Sequence, residues 1–155
     1  MNVERYLNQA LEAEHRIHDL QEQRAFLMDL ATGVTQVMNG MPSGSPGTSK
    51  IEGASVKLAD LDHKLSKEMT HLAKVVEDIT GVINQVPDEK QRRLLHLRYL
   101  CGKSWREVQR ALGYTNGRSV YYTHRNAKRQ VLAILKERDL EWLRQEVKRK
   151  GSLTK

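Results

Sequence analysis

The strongest constraint on the fold of this chain is a heptad pattern that runs through its first half and is interrupted once. Apolar residues recur in alternating steps of three and four, which places them along one face of an α-helix. In the first segment these positions are Val3, Tyr6, Ala10, Ala13, Ile17, Leu20, Arg24, Leu27, Ala31, Val34 and Met38. In the second segment they are Leu58, Leu61, Leu65, Glu68, Leu72, Val75, Ile79, Val82 and Val86. The pattern therefore predicts two long helices.

The interruption predicts how the two helices are connected. Gly, Pro and Ser dominate from Asn39 to Ser49, and we expect a flexible loop over residues 39–55. Two seams joined by such a loop predict an antiparallel, coiled-coil-like helical hairpin over residues 1–86. A narrow two-helix seam is rarely stable alone. The hairpin is expected to self-associate, with a dimer favoured, or to pack against the second half of the chain.

Each seam contains one charged residue, Arg24 in the first helix and Glu68 in the second. In an antiparallel hairpin with a loop over residues 39–55, these two positions face each other. Our hypothesis is that they pair and set the register, as polar seam residues do in coiled coils. The alternative is that each side chain extends separately into solvent.

Charge is divided unevenly along the chain. Residues 1–89 carry 8 Lys/Arg and 14 Asp/Glu, whereas residues 90–155 carry 18 and 5. A strongly basic half favours a polyanionic partner. The single cysteine excludes an internal disulfide framework, and no apolar run is long enough to cross a bilayer. We expect a cytoplasmic protein that does not contact membranes.

The second half has the start and stop signals of a helix-turn-helix. A leucine-rich helical segment ends at Cys-Gly-Lys, and Ser104 with Glu107 then forms a capping-box pattern at the start of a short helix. Gly113 is suited to a left-handed C-cap of that helix. Thr115 or Asn116 is expected to cap the next helix. The order is a supporting helix, a short capped helix, a glycine turn and a basic helix.

The last of these helices has two distinct faces, and it completes a predicted DNA-binding domain over residues 87–136. Its packing face consists of Val120, His124, Ala127, Val131 and Leu135. Arg and Tyr on the other side suit a major groove, because Arg binds guanine or phosphate and Tyr contacts phosphate or thymine methyl groups. The candidate DNA contacts are Arg118, Ser119, Tyr121, Tyr122, Arg125, Lys128 and Arg129.

The segment LLHLRYLCGKSWREVQRALGYTNGRSVYYTHRNAKRQVLAIL resembles sigma-factor region 4. The family pattern is met by Gly102, Ser104, Glu107, Val108, Leu112, Gly113, Val120, Ala127 and Val131. Two N-terminal helices, a Ser/Gly loop and this C-terminal segment are together similar to phage-encoded late-gene transcription regulators of the ArpU and RinA type. The resemblance implies that the last helix enters the major groove and that host RNA polymerase is a partner, in the cytoplasm of a bacterial host. It also implies DNA-backbone contacts from Lys103, Trp105, Arg106 and Arg110.

Two other functions remain open from the sequence. The basic face can bind an acidic protein, such as a subunit of RNA polymerase, without contacting DNA. A phage packaging factor similar to a small terminase subunit also joins a helix-turn-helix to a helical oligomerisation part. No catalytic triad, phosphate-binding loop or metal-ligand spacing occurs, so we expect no enzyme activity, cofactor or metal.

Residues 137–155 form a predicted helical extension. Its apolar residues are Leu140, Trp142, Leu143 and Val147. We expect them either to pack onto the chain's own hairpin or to offer a surface to a partner. The end of the chain, from Arg149 to Lys155, is expected to fray.

Overall fold

A computed structural model describes residues 2–38 and 46–152. Within these ranges every regular element is helical, which confirms the all-α prediction. The elements are α1 (Val3–Met38), α2 (Pro46–Asn84), α3 (Glu89–Leu95), a π-helical turn (His96–Leu100), α4 (Trp105–Ala111) and α5 (Gly117–Ser152). None of these helices combines the length and the apolar content that crossing a bilayer requires.

The chain forms two compact units, which differ from the predicted domains 1–86, 87–136 and 137–155. One unit comprises Met1–Leu11 and Val75–Lys155, and the other comprises Glu12–Lys74. The difference arises because the start of α1 and the end of α2 belong to the core of the first unit. Leu7 and Ile79 are fully buried there, as are residues of the helix-turn-helix itself.

Residues 12–74 form an antiparallel helical hairpin, as the two seams predict. Arg16 of α1 pairs with Glu68 of α2 at 3.2 Å between Nε and Oε2. Further along α1, Arg24 pairs with Asp62, which lies earlier in α2, at 2.7 Å. The seam positions described in this unit are buried or half-buried, whereas most of the flanking positions are exposed. The heptad pattern therefore identified the buried face of both helices.

The predicted pair of Arg24 with Glu68 is wrong, because each residue has a different partner. Asp62, which pairs with Arg24, lies six residues before Glu68. The physical reason is the start of α2. This helix already begins at Pro46, inside the predicted loop 39–55, and proline is well tolerated at the first position of a helix. Residues 39–45 lie outside the described residues.

In the other unit, an ionic cluster joins α1, α2 and α5. The Tyr6 hydroxyl donates to Asp78 Oδ2 at 2.6 Å, and Arg138 Nη1 donates to Asp78 Oδ1 at 2.7 Å. The Arg138 guanidinium also lies over the Tyr6 ring, 5.8 Å from its centre. Burial, followed by the hydrogen bond to Asp78, raises the pKa of Tyr6, so this phenol stays protonated as the donor. Within this unit the start of α1 and the end of α2 are thus connected to α5.

The supporting helix of the helix-turn-helix begins and ends at specific contacts. Asp88 caps α3 by accepting the Gln91 backbone N–H at 2.8 Å. The helix then continues into the π-helical turn, which closes with Cys101 N–H donating to His96 O. The sequence did not predict this turn. Leu94 and Leu95 at the end of α3 and Tyr99 in the π-helical turn are all buried.

α5 is one uninterrupted helix that continues through the predicted boundary at residue 136. It extends to Ser152, so the first part of the segment expected to fray, Arg149–Lys155, is helical. Residues 153–155 lie outside the described residues. Among the α5 residues whose burial the structure describes, which end at Arg149, Leu135 is the last that is fully buried. Of the two alternatives for the extension, Arg138 at its start does contact Tyr6 and Asp78 of the predicted hairpin, whereas its apolar side chains, Leu140, Trp142, Leu143 and Val147, are 49, 61, 50 and 70% exposed.

Candidate nucleic-acid interface

The short helix α4 begins at the predicted capping box. The Glu107 backbone N–H donates to Ser104 Oγ at 3.3 Å, and the Ser104 backbone N–H donates to Glu107 Oε2 at 2.7 Å. The hydrogen bonds from the backbone and side chain of Ser104 lower the pKa of Glu107. The preceding Gly102 has φ +64°, which lets the chain turn into this cap. The direction of α4 is therefore set by local contacts.

The turn between α4 and α5 is fixed at both ends. Gly113 has φ +71° and donates its N–H to Arg110 O, while Tyr114 N–H donates to Gln109 O; together these are the two bonds of a Schellman motif. On the other side, Asn116 Oδ1 accepts the Ser119 backbone N–H at 3.0 Å and caps α5. Of the two residues predicted for that cap, Asn116 is the one observed.

The packing face of α5 is buried along its whole predicted length. Its five residues, Val120, His124, Ala127, Val131 and Leu135, are all at most 8% exposed. Val108 of α4 is also fully buried. This packing fixes the rotation of α5 about its own axis, and the side chains opposite the packing face are directed to solvent.

His124 is the polar member of the packing face, and it lies in a ring cluster. Its Nε2 is 2.8 Å from the Tyr99 hydroxyl, and its ring meets the Trp105 indole edge-on with centres 4.6 Å apart. The Arg98 guanidinium lies over the Trp105 ring, 4.7 Å from its centre. Burial lowers the pKa of His124 to about 4, and the positive charges of Lys128 and Arg98 act in the same direction. The imidazole is therefore neutral at physiological pH.

Arg98 is a functional candidate that the sequence reasoning missed. Besides covering Trp105, its Nη1 donates to the Lys103 carbonyl at 2.8 Å. It thus connects the supporting helix to the start of α4. The sequence signal was an arginine within a leucine-rich helix, which by itself does not distinguish this role from a solvated charge.

The side of α5 opposite the packing face is exposed and rich in Arg and Tyr. We define the reading face as Arg118, Tyr122, Arg125 and Arg129, all of which are exposed. Tyr121 flanks it, and its ring lies edge-on to that of Tyr122 with centres 5.8 Å apart. Tyr121 and Tyr122 are 60 and 53% exposed, which is unusual for rings that a core would bury.

Two of the predicted DNA contacts are engaged within the chain. Lys128 Nζ forms an ion pair and hydrogen bond with the Glu4 carboxylate, and this bond is the main cause of the lowered pKa of Glu4. The hydroxyl of Ser119 donates to Asn116 Oδ1 at 3.1 Å, within the cap of α5. Contact of either side chain with DNA requires that these internal bonds be exchanged.

The predicted backbone contacts lie at α4. Lys103, Arg106 and Arg110 are exposed, while Trp105 contacts both Arg98 and His124 and is about two-fifths exposed. A cleft of about 330 Å³ opens between α4 and the start of α5. Its lining residues are Trp105, Arg106, Gln109, Gly117, Val120, Tyr121 and His124. This surface presents guanidinium, amide and aromatic groups beside the N-terminus of α5.

Outside this region, one group of potential metal ligands occurs among the described residues. His18, Asp19 and Glu22 bring ligand atoms within 4.8 Å of one another on the exposed side of α1. His18 is also 3.7 Å from Glu22 as an ordinary pair one helical turn apart. Exposed pairs of this kind are common on helices and do not define a metal site.

No protein-family model, curated protein or solved structure matches this chain. The resemblance to sigma-factor region 4 and to phage late-gene regulators therefore stays a prediction. The functional argument depends on the chemistry of the surface itself. That surface combines a capped short helix, a rigid turn and a helix whose exposed side can bind phosphates and base edges.

Proposed function

We propose that this chain is a sequence-specific DNA-binding regulator of transcription that inserts α5 into the major groove. The observation that supports this most is the separation of two faces on α5. From Gly117 to Lys136 the helix carries five Lys/Arg and no Asp/Glu, with its apolar side buried and its Arg/Tyr side exposed. A helix face that is merely solvated usually carries both acidic and basic residues over a stretch of this length.

The dimensions of the reading face suit a groove. Arg118 and Arg129 are eleven residues apart, which corresponds to about 16 Å along the helix, or about five base pairs of DNA. Exposed arginines can bind guanine O6 and N7 with two hydrogen bonds, and Tyr121 and Tyr122 can pack against thymine methyl groups or bond phosphate. The N-terminal end of α5 adds backbone N–H groups that favour phosphate.

The exposed cations in α4 and just before it supply a second class of contact. Lys103, Arg106 and Arg110 are placed by the capping box and the Schellman turn, which hold α4 in one orientation relative to α5. In a helix-turn-helix complex the helix before the reading helix lies against the DNA backbone. We assign these three residues to phosphate contacts that fix the orientation of the protein without reading sequence.

The biological setting follows from the resemblance. Late-gene control in a phage or prophage, with host RNA polymerase as a second partner, is part of the proposal and rests on the similarity to ArpU and RinA type regulators. Double-stranded DNA is the partner that the chemistry of α5 itself supports.

The proposal is tested by selecting DNA from a random duplex library with the purified full chain and measuring affinity for the selected and a scrambled sequence. We expect specific binding. Arg125→Ala and Arg129→Ala should each weaken it by about 1–3 kcal/mol, roughly 5- to 150-fold, if the residue contacts a base. Lys67→Ala removes one exposed positive charge from the hairpin unit and serves as the matched control.

The outcomes separate the candidate functions. Loss of affinity in both arginine variants, with Lys67→Ala unchanged, supports the proposal. Equal binding of selected and scrambled DNA, or unchanged affinity in both arginine variants, would contradict it. A chain that binds no DNA but retains an acidic protein through α5 would instead be an interaction module.

A further inference from the structure

The exposed end of α5 carries an apolar stripe that the fold leaves uncovered. Leu140, Leu143 and Val147 follow one another in steps of three and four, and they are 49, 50 and 70% exposed. We call these three residues the C-terminal stripe. Trp142 is also exposed but belongs to the side of α5 that contains Leu135 and Arg138, so it is not part of the stripe.

The core of this unit cannot cover the C-terminal stripe. Leu140 follows Arg129 by eleven residues, which is about three turns, so the stripe continues the reading face along the same side of α5. The opposite side is the one held against the unit, by buried Leu135 and by the Arg138 ion pair with Asp78. The core of this unit therefore leaves the stripe free for another occupant.

We propose that the occupant is the same stripe of a second copy, paired in parallel as a short coiled coil. This inference deepens the proposed function and rests on it. In a heptad with Leu140 at position a, Asp139 occupies g and Arg144 occupies e of the following heptad. Parallel pairing brings Asp139 of each copy beside Arg144 of the other, giving two ion pairs across the interface. Neither residue has an ion-pair partner among the described residues of its own chain.

The apolar layers also favour the parallel arrangement. In parallel register, Leu140, Leu143 and Val147 each meet their own equivalent. An antiparallel register that placed Leu140 beside Leu143 of the second copy would place Val147 beside Lys136. That arrangement loses one of the three apolar layers and buries a positive charge against a valine.

The charges upstream of the stripe make the two helices separate. Lys136, Arg129 and Arg125 lie on the side of α5 that leads into the stripe, and equivalent cations of two copies repel each other there. Beyond this point the composition changes. Residues 117–136 carry five Lys/Arg and no Asp/Glu, whereas residues 137–149 carry four of each. A balanced pairing segment that follows a basic, groove-entering segment on one continuous helix is the arrangement by which basic-zipper dimers straddle DNA.

Three apolar layers make a weak interface, so we expect two copies to form the stable coiled-coil pair only when both are bound to DNA. Two half-sites hold two copies close together and raise their effective concentration. Parallel pairing has a two-fold axis, so the target is an inverted repeat of two half-sites.

The decisive experiment compares DNA duplexes that carry one selected half-site or an inverted pair, with the full chain. For the unmodified chain we expect a 2:1 complex on the pair, with affinity about 100-fold or more above that for the single half-site. Leu143→Glu should bind the pair no better than the single site and should bind the single site normally. Trp142→Glu, which introduces the same residue at a more exposed position off the stripe, should behave as the unmodified chain.

A cysteine experiment tests the orientation with and without DNA. In a Cys101→Ser background, chains with either Leu140→Cys or Val147→Cys should each form a disulfide with themselves in a redox buffer. If disulfides instead form only in a mixture of Leu140→Cys and Leu143→Cys chains, the pairing is antiparallel and the inference is overturned. Combining Asp139→Arg with Arg144→Asp should restore the paired-site affinity that each single change reduces.

Failures of the two proposals are distinguishable. If the chain binds the single half-site normally but binds the inverted pair no more tightly, the parallel-dimer proposal is wrong and the DNA-binding proposal still stands. Absence of any DNA binding removes the proposed function. Self-disulfides at both positions in the concentrated free protein would still establish the parallel pairing, and their absence there would then exclude it.

Discussion

Replacement of His124 by glutamine should change how the stability of the helix-turn-helix depends on pH. His124 is neutral and buried, beside the Tyr99 hydroxyl and the Trp105 ring, and its pKa is lowered to about 4. In the unfolded chain the same imidazole has its ordinary pKa of about 6.5. His124→Gln keeps an amide that can bond the Tyr99 hydroxyl and removes the titration.

The sign and the size of the effect follow from proton linkage. Between about pH 6.5 and about pH 4 the unfolded chain binds a proton at residue 124 that the folded chain does not, so acid favours unfolding. The stabilising contribution is complete above about pH 6.5 and is lost as the pH falls towards about 4. At about 1.36 kcal/mol per unit, the shift corresponds to about 3 kcal/mol over this interval.

The assay is urea unfolding of the original chain and of His124→Gln at several pH values from about 7.5 to about 4. Other groups near His124, among them Glu4, Lys128 and Arg98, titrate or carry charge in both proteins, so the difference between the two unfolding free energies isolates the imidazole. This difference should change by about 3 kcal/mol. A difference that stays constant across the interval, or a His124 pKa near 6.5 by NMR in the folded chain, would refute the burial argument.

Three further changes test the local structure by urea unfolding at neutral pH. Ser104→Ala removes the N-cap of α4 and should cost about 1 kcal/mol; no loss would mean that the capping box is dispensable. Gly113→Ala should cost about 1–2 kcal/mol from its φ of +71° alone, since an added Cβ meets no atom within 4 Å. A double-mutant cycle of Arg24 and Asp62 should give a small coupling of about 0.2–1 kcal/mol, whereas Arg24 with Glu68 should give none.

The elements that sequence predicted well depend on contacts between neighbouring residues. The capping box at Ser104, the left-handed Gly113 and the Asn116 cap each involve groups within three or four positions, so spacing alone identifies them. The buried faces of the helices also follow from the period of the α-helix. For these features the structure confirms the pattern.

The features that sequence did not predict depend on where separate helices meet. The hairpin register was misjudged because it depends on where α2 begins, and proline at residue 46 was taken as part of a loop although it starts the helix. Lys128 looked available for DNA, since nothing in the sequence relates it to Glu4, far away in the chain. The same limit applies to His124 and Tyr99, whose contact joins two helices. Such pairs follow from tertiary packing and have no local signature.

The salt dependence of DNA binding tests the central claim, that the exposed side of α5 binds DNA, most directly. Affinity of the full chain for its selected site is measured over a series of salt concentrations, for the original chain and for the double change Arg125→Ala with Arg129→Ala. If both arginines contact phosphate, the slope of log affinity against log salt should become shallower by about two. Each phosphate contact that is lost reduces the magnitude of the slope by about 0.9. If one or both bind bases, affinity for the selected site should fall towards that for scrambled DNA. An unchanged slope together with unchanged affinity would contradict the account.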